Sequence, residues 1–349
     1  MPYKHLLKQL LGELPLTAEL YWSLRQSGRP LTANFSLKKL ETHLPTWTAQ
    51  ARANAPSTLT GRHILVFATL RYWIEYATLL GLSLAGLGHR VSLAYLPYGN
   101  WKKPLNRFDL RQQNTYAHHI LRQASPPLQI VPLFNGKKDL TLPPTLEHAI
   151  RENAWRDTQY TLQVEEVDAE SALYKLRLDR NTQAAQAALQ WIQENRPDLV
   201  IIPNGSILEF GAFYQAARYL NQTGLTPLTV ITYEFGEQRQ RIWLARNGEV
   251  MRQDTDELWR ARKDQPLSGE QVTQIRDLFA ARQRASLWEN FARRWQGVPG
   301  EGGEKARSLL GLDHPGSDRS RPVVLLATNV IGDSLTLGRQ VFSDSMTEW

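Results

Sequence analysis

The sequence predicts an α/β protein built on a parallel sheet with flanking helices, and two stretches carry that expectation. In the first, His63 to Leu70 is a short β-branched, aromatic and aliphatic run, Trp73 to Leu87 is a long apolar-rich helical stretch closed by Gly88, and Val91 to Leu96 is again strand-like. Strand, helix of about 15 residues, terminal glycine and strand make a βαβ unit, whose right-handed crossover requires parallel strands. In the second, a helix over Thr182 to Asn195 leads through Arg196-Pro197-Asp198 to a strand at Leu199 to Ile202. A helix over Ile207 to Leu220 and a strand at Leu228 to Tyr233 follow.

The chain starts with helical patterning. Tyr3, Leu6, Leu7, Leu10, Leu11 and Leu14 recur at the spacing of one helical face up to Pro15. Thr17 and Ser36 are the expected N-caps of two short helices, Ala18 to Leu24 and Leu37 to Leu44, parted by Ser27-Gly28-Arg29-Pro30. Residues 1–60 thus read as a helical segment that packs on the body, with contact to an anionic membrane as the alternative. Leu128 to Phe134 is a further strand, whereas residues 147–180 show no clear period. Arg241 to Met251 reads as a hairpin turning at Asn247-Gly248. Ser268 and Gln271 form a capping box for a helix running towards Trp295.

A Gly-rich joint at Gly297 to Gly303 precedes a buried-type strand at Pro322 to Ala327, a polar loop at Thr328 to Ser334 and a helical start at Leu335 to Trp349. One strand and one helix cannot bury their own apolar faces. The expected organisation is therefore a helical segment (1–60), a Rossmann-like domain (61–296), a linker (297–321) and the start of a second, incomplete Rossmann-like domain (322–349). The 349 residues agree with about two domains at roughly 150 residues each.

Composition removes several function classes. With no cysteine, disulfides, thiolate metal sites and cysteine nucleophiles are excluded. The longest apolar run, Ile64 to Leu70, meets Arg71 well short of the roughly 18 to 20 residues a bilayer span needs, and Lys8 interrupts the N-terminal leucines. A cytoplasmic protein is expected. Charge is uneven: residues 1–125 hold 15 Lys/Arg against 5 Asp/Glu, a balance of +10. Residues 126–349 hold 26 against 29, a balance of −3. That asymmetry points to an anionic partner for the first third, and peripheral membrane contact through residues 1–125 is one form of it. No recognisable RNA- or DNA-binding module accompanies the basic charge, so nucleic acid is not expected.

Open α/β sheets bind ligands beyond the carboxyl ends of their strands, so the loops there hold the candidate residues. Thr69-Leu70-Arg71-Tyr72-Trp73 lacks the Gly-x-Gly-x-x-Gly turn of dinucleotide sites, and no phosphate-binding P-loop occurs; Arg71 and Trp73 are its candidate substrate contacts. Asn204, Gly205 and Ser206 put an amide, a flexible residue and a hydroxyl at a helix start, with Glu209 one turn in as a candidate base. Tyr233 and Glu234 end a strand, and partial burial between aromatic neighbours would raise the Glu234 pKa towards that of a general base. Asn329, Asp333 and Ser334 suit a sugar or phosphate contact. Adjacent His118 and His119 point apart on a helix, and no His, Asp and Glu spacing suggests a metal site.

Taken together these loops resemble bacterial capsule-polysaccharide biosynthesis glycosyltransferases of the two-Rossmann (GT-B) type. The carriers are Leu87-Gly88-His89-Arg90-Val91, Pro203-Asn204-Gly205 through Glu209, Tyr233-Glu234-Phe235-Gly236, and Pro322 to Ser334 with Met346-Thr347-Glu348-Trp349. The resemblance implies a nucleotide-sugar donor, no other cofactor and a glycan or lipid-linked acceptor. It implies Glu234 or Glu209 as a metal-free base, with Asn329, Asp333 and Ser334 on the donor side. Most of the donor-side domain of that family has no counterpart before Trp349, so this stretch alone is expected to be inactive. Two other readings stand beside it: a non-catalytic membrane-associated scaffold of polysaccharide machinery, and a sugar-nucleotide epimerase on the same fold.

Overall fold

The computed structural model describes residues 2–26, 28–57, 61–134, 140–236, 241–252 and 254–283, together with Ser308 and Gly311. Of these, 2–233 and 244–252 fall in one compact unit, and 234–243 and 254–283 in a second. The first unit starts with α1 (Pro2–Glu13), α2 (Thr17–Tyr21) continued by a π-helical turn at Trp22–Gln26, and α3 (Lys38–Asn54). Then come β1 (His63–Thr69), α4 (Arg71–Gly86), β2 (Arg90–Leu96), α5 (Arg107–Leu121) and β3 (Leu128–Pro132). They are followed by α6 (Pro144–Leu162), α7 (Ala172–Asn195), β4 (Leu199–Pro203), α8 (Leu208–Gln222), β5 (Thr229–Phe235) and β6 (Ile242–Arg246). The second unit holds α9 (Asp256–Arg262) and α10 (Gly269–Gln283).

The strands form one six-stranded sheet in the order β3-β2-β1-β4-β5-β6. β1 is paired in parallel with both β2 and β4, β2 with β3, and β4 with β5, so the predicted α/β parallel architecture is Rossmann-like as expected. Each residue of β1 is buried, as a central parallel strand covered on both faces requires. Its side chains alternate between two cores. Leu65 and Phe67 point to a core closed by α6, α7 and α8, where Phe67 stacks on Phe213 with ring centroids 4.1 Å apart. Ile64, Val66 and Ala68 point to a core closed by α3, α4 and α5. Among the described residues, no helix is long and apolar enough to cross a membrane.

Several local expectations are corrected. Thr17 is not an N-cap: it is the first residue of α2, Leu16 holds the cap position at φ 60°, and the Thr17 hydroxyl donates backwards to Leu14 O at 3.0 Å. Ser36 does not cap α3 either. Leu37 occupies that position, its N–H donates to Tyr116 Oη at 2.8 Å, and the helix continues through the exposed Pro45 to Asn54. Asn247-Gly248 is not a hairpin turn. Gly236 N–H donates to Arg241 O (2.8 Å) and Asn247 N–H to Val230 O (2.7 Å), so β6 returns antiparallel to β5 and ends at Arg246, just before Asn247. The unpatterned stretch 147–180 is mostly helix, α6 and the first part of α7, the latter capped by Ser171 Oγ accepting from Tyr174 N–H. The Ser268–Gln271 capping box forms as expected, with reciprocal bonds of 2.8 and 3.2 Å. The end of its helix near Trp295, the 297–321 linker apart from Ser308 and Gly311, and the Pro322 to Trp349 unit lie outside the described residues.

The N-terminal helices are fixed to α5 by polar contacts. Lys8 Nζ lies 2.9 Å from Asp109 Oδ1, and Glu13 pairs with Arg107. Arg111 does most: its Nε donates to Glu19 Oε1 at 3.0 Å, and its Nη1 donates to the α1-terminal carbonyls of Gly12 (2.9 Å) and Leu14 (2.6 Å). Burial acts to raise the Glu19 pKa, but the Arg111 hydrogen bonds and charge outweigh it, and the carboxyl sits below its ordinary 4.5. A depressed carboxyl contributes stability above its unfolded value that is lost as pH falls through its folded one. Arg111→Ala is therefore expected to cost about 1 kcal/mol at neutral pH, and less below about pH 4. Its amide exchange should quicken in residues 2–26 and not in β1 to β5; uniform quickening across the sheet would show that the contact is not local.

Candidate functional site

β1 is the switch point of the sheet: the chain leaves it for β2 on one side and later places β4 on the other. At such a point the two loops beyond the carboxyl ends diverge and leave a crevice. The first loop is one residue long. Leu70 takes φ 62° and ψ 142°, turning the chain from Thr69 at the end of β1 into Arg71 at the start of α4. Arg71 is exposed, and Trp73 is half-buried. The Trp73 ring stands edge-on to Tyr233 and to Phe210, at 5.7 Å from each, so it joins the ends of β1, α8 and β5.

The second loop, after β4, is tied to β5. Asn204 N–H donates to Tyr233 O (2.7 Å), and Asn204 Oδ1 accepts from Ser206 N–H (3.0 Å). Gly205 has φ 82°, and a Cβ there would lie 2.5 Å from Thr232 Cγ2, so only glycine fits the crossing. Ser206 is buried and its hydroxyl donates to Glu249 Oε2 at 3.0 Å. Of the residues expected to touch substrate, Trp73, Asn204, Gly205 and Tyr233 are thus brought together with Arg71 at one edge. The side chains of Asn204 and Ser206 serve the loop itself.

Glu209 points elsewhere. It is 1% exposed, and its Oε1 lies 3.1 Å from Nη1 of Arg177, which is fully buried. Arg177 also reaches Asp157 Oδ2 (3.4 Å) and donates to Asn181 Oδ1 (3.3 Å). Asp157 accepts from Asn181 Nδ2 (2.8 Å) and from Leu208 N–H (2.6 Å). α8 has no capping side chain of its own, and Leu208 enters it at φ 55°. The carboxylate of Asp157 on α6 supplies the missing acceptor, at the helix end where negative charge is favoured. Burial pushes the Asp157 carboxyl up, against the pull of Arg177. Burial pushes the other way on Arg177, but Glu209 and Asp157 outweigh it and hold the guanidinium above its ordinary value.

Glu75 is the residue that the sequence reading missed. It is the one acidic residue of α4, four positions after Arg71 and half-buried. Burial raises its pKa, partly offset by Arg71 and Lys39, and its Oε1 is buried without a hydrogen-bond partner. Its charged neighbours, Arg71 and Lys39, lie on α4 and α3, and a raised carboxyl is a candidate for proton transfer. The signal was available as the one acidic residue in a largely apolar helix. Glu234, in the second unit, is half-buried and accepts from Phe235 N–H at 3.0 Å. Asn329, Asp333 and Ser334 lie outside the described residues. Among the described residues, no group of three or more His, Asp or Glu is placed to hold a metal ion.

No protein-family model matches the chain, and no curated protein is found to be similar to it.

Arg177→Met leaves two carboxylates buried without their cation, and a loss of about 3–5 kcal/mol in denaturant unfolding at neutral pH is expected. The raised Asp157 gives the sign of the pH effect. A carboxyl whose folded pKa exceeds its unfolded one holds its proton better in the fold, so its contribution is complete at low pH and fades as pH rises through the folded value. Removing Arg177 widens that window, and the variant should regain part of its deficit at about pH 5. A deficit that is unchanged or larger there would refute the charge argument.

Proposed function

We propose that this protein takes part in transfer of a sugar from a nucleotide-sugar to a glycan or lipid-linked acceptor, in capsule or other surface-polysaccharide synthesis at the cytoplasmic face of a membrane. The observation that carries the reading is the β1/β4 switch point, where Trp73 stands edge-on to Tyr233, Tyr233 O accepts from Asn204 N–H, and the exposed Arg71 opens α4. An aromatic face and a cation at the carboxyl edge suit a sugar ring and an attached phosphate or carboxylate. The acceptor is placed on this side in the reading, and the nucleotide-sugar with Asn329, Asp333 and Ser334 on the other.

In the proposed reaction a carboxylate takes the proton of an acceptor hydroxyl as that oxygen attacks the anomeric carbon. The bond from that carbon to the nucleotide's terminal phosphate breaks, and the charge released on the phosphate is met by helix N-termini and basic side chains. No resident metal enters these steps. Glu234 is the base suggested by sequence, and Glu75, one turn into α4 from Arg71, is the alternative suggested by its raised pKa. Glu209, tied to Arg177 and closed off from solvent, is read as a residue that positions α8.

The test is transfer from labelled nucleotide-sugars by the whole protein. Glu234→Gln or Glu75→Gln should lower turnover by about 100-fold with folding unchanged. Trp73→Ala and Arg71→Ala should raise KM for the acceptor by about tenfold each, through lost stacking and charge. Full turnover in both glutamine variants would remove the base assignment. Isomerised nucleotide-sugar without transfer would favour an epimerase, and binding of polysaccharide or membrane without turnover would favour a scaffold.

A further inference from the structure

α1 is docked by its polar edge. Lys8 pairs with Asp109, and Gly12 lies so close to α5 that a Cβ there would be 2.9 Å from Phe108 N. The leucines at the complementary spacing face away: Leu6, Leu7, Leu10 and Leu14 are 48–61% exposed. The next helix repeats the arrangement. Ala18 and Trp22 are buried, Trp22 against Tyr116 and His119, while Leu16, Leu20 and Leu24, four residues apart, are 59–79% exposed. Seven leucines between residues 6 and 24 therefore lie on the surface, while Lys8, Gly12, Ala18 and Trp22 make the packed side. Leucines scattered singly over a surface need no explanation, but two rows on consecutive helices do.

The charge around these rows is one-sided. Residues 1–40 hold six Lys/Arg and two acidic residues, a balance of +4. Both acidic residues are engaged by arginines of α5, Glu13 by Arg107 and Glu19 by Arg111. Arg25, Arg29, Lys38 and Lys39 are exposed. A second copy of the chain seated on the leucines would bring two such positive segments together, which like-charge repulsion opposes. A negatively charged lipid surface meets both features: the leucines enter the boundary between headgroups and acyl chains, and the cations meet lipid phosphates.

We infer that the outward leucine rows of α1 and α2 form the surface by which this protein docks on an anionic lipid bilayer. The inference does not rest on sugar transfer, since vesicle binding and turnover are read separately. The experiment is co-sedimentation of the whole chain with mixed phosphatidylcholine–phosphatidylglycerol vesicles and with pure phosphatidylcholine vesicles. The mixed vesicles should bind it more tightly, and added salt should weaken the preference. The triple variants Leu6/Leu10/Leu14→Ser and Leu16/Leu20/Leu24→Ser should each lose about tenfold or more of that binding with melting unchanged, because exposed side chains contribute little to folding. Leu87→Ser, which alters another exposed leucine, should bind as the unaltered chain does. Three results would overturn the inference: no binding to mixed vesicles, undiminished binding in both triple variants, or self-association that the triple variants abolish. The last would assign the face to a second copy.

Discussion

The ion pair of Arg177 with Asp157 and Glu209 is the constraint on which the geometry of the β4 loop depends. Three helices contribute one member each, and each member is essentially removed from water. A guanidinium in such a place is costly unless all of its charge is answered, so α6, α7 and α8 have little freedom to move apart. The same carboxylate that answers Arg177 also accepts Leu208 N–H, and Asn153 Nδ2 donates to Leu208 O at 2.9 Å. Both backbone groups of one left-handed residue are thereby held from α6. The strained entry into α8, and with it the direction of the Asn204-Gly205-Ser206 turn, follows from that grip.

Around the crevice the division of labour is between side chains that build and side chains that are presented. Ser206, Asn204 and Glu209 are polar, lie just beyond a strand and are spent on internal bonds. Arg71, Trp73 and Glu75 come from the first turns of α4 and keep surface open to solvent. Trp73 belongs to both groups, since one edge packs on Phe210 and Tyr233 while part of the ring remains accessible. A wall with that composition is rigid where it meets the sheet and chemically varied where it meets solvent.

The elements that were legible in the sequence are those whose apolar residues have one place to go. β1, α4 and β2 were read within two residues because continuous apolar strands and a glycine at the helix end leave no other arrangement. α6 and the start of α7 were not, because their inner faces carry Asp157, Arg177, Arg180 and Asn181, which a hydrophobic period counts as solvent-facing. The first helix was read as amphipathic without its packed face being assigned, and the face that packs is that of Lys8 and Gly12. For the crevice, sequence placed Arg71 and Trp73 just beyond β1 and Tyr233 near the end of a strand, where they are found in α4 and β5. It had no way to distinguish Glu209 from an open carboxylate, since the arginine that binds it lies 32 residues earlier on another helix.

The pairing of β1 with β4 also sets an order of events during synthesis. His63 and Asp198, bonded at one end of that pair, are 135 residues apart, whereas β2 follows β1 directly. As the chain emerges N-terminus first, α3, α4, β1, β2 and β3 can assemble while the other edge of β1 has no neighbour. That edge belongs to the most thoroughly buried strand of the finished sheet, and its backbone N–H and C=O groups stand open until β4 arrives. Translation of the stretch between β3 and β4 is therefore the interval in which the unpaired edge of β1 is open to pairing with another chain.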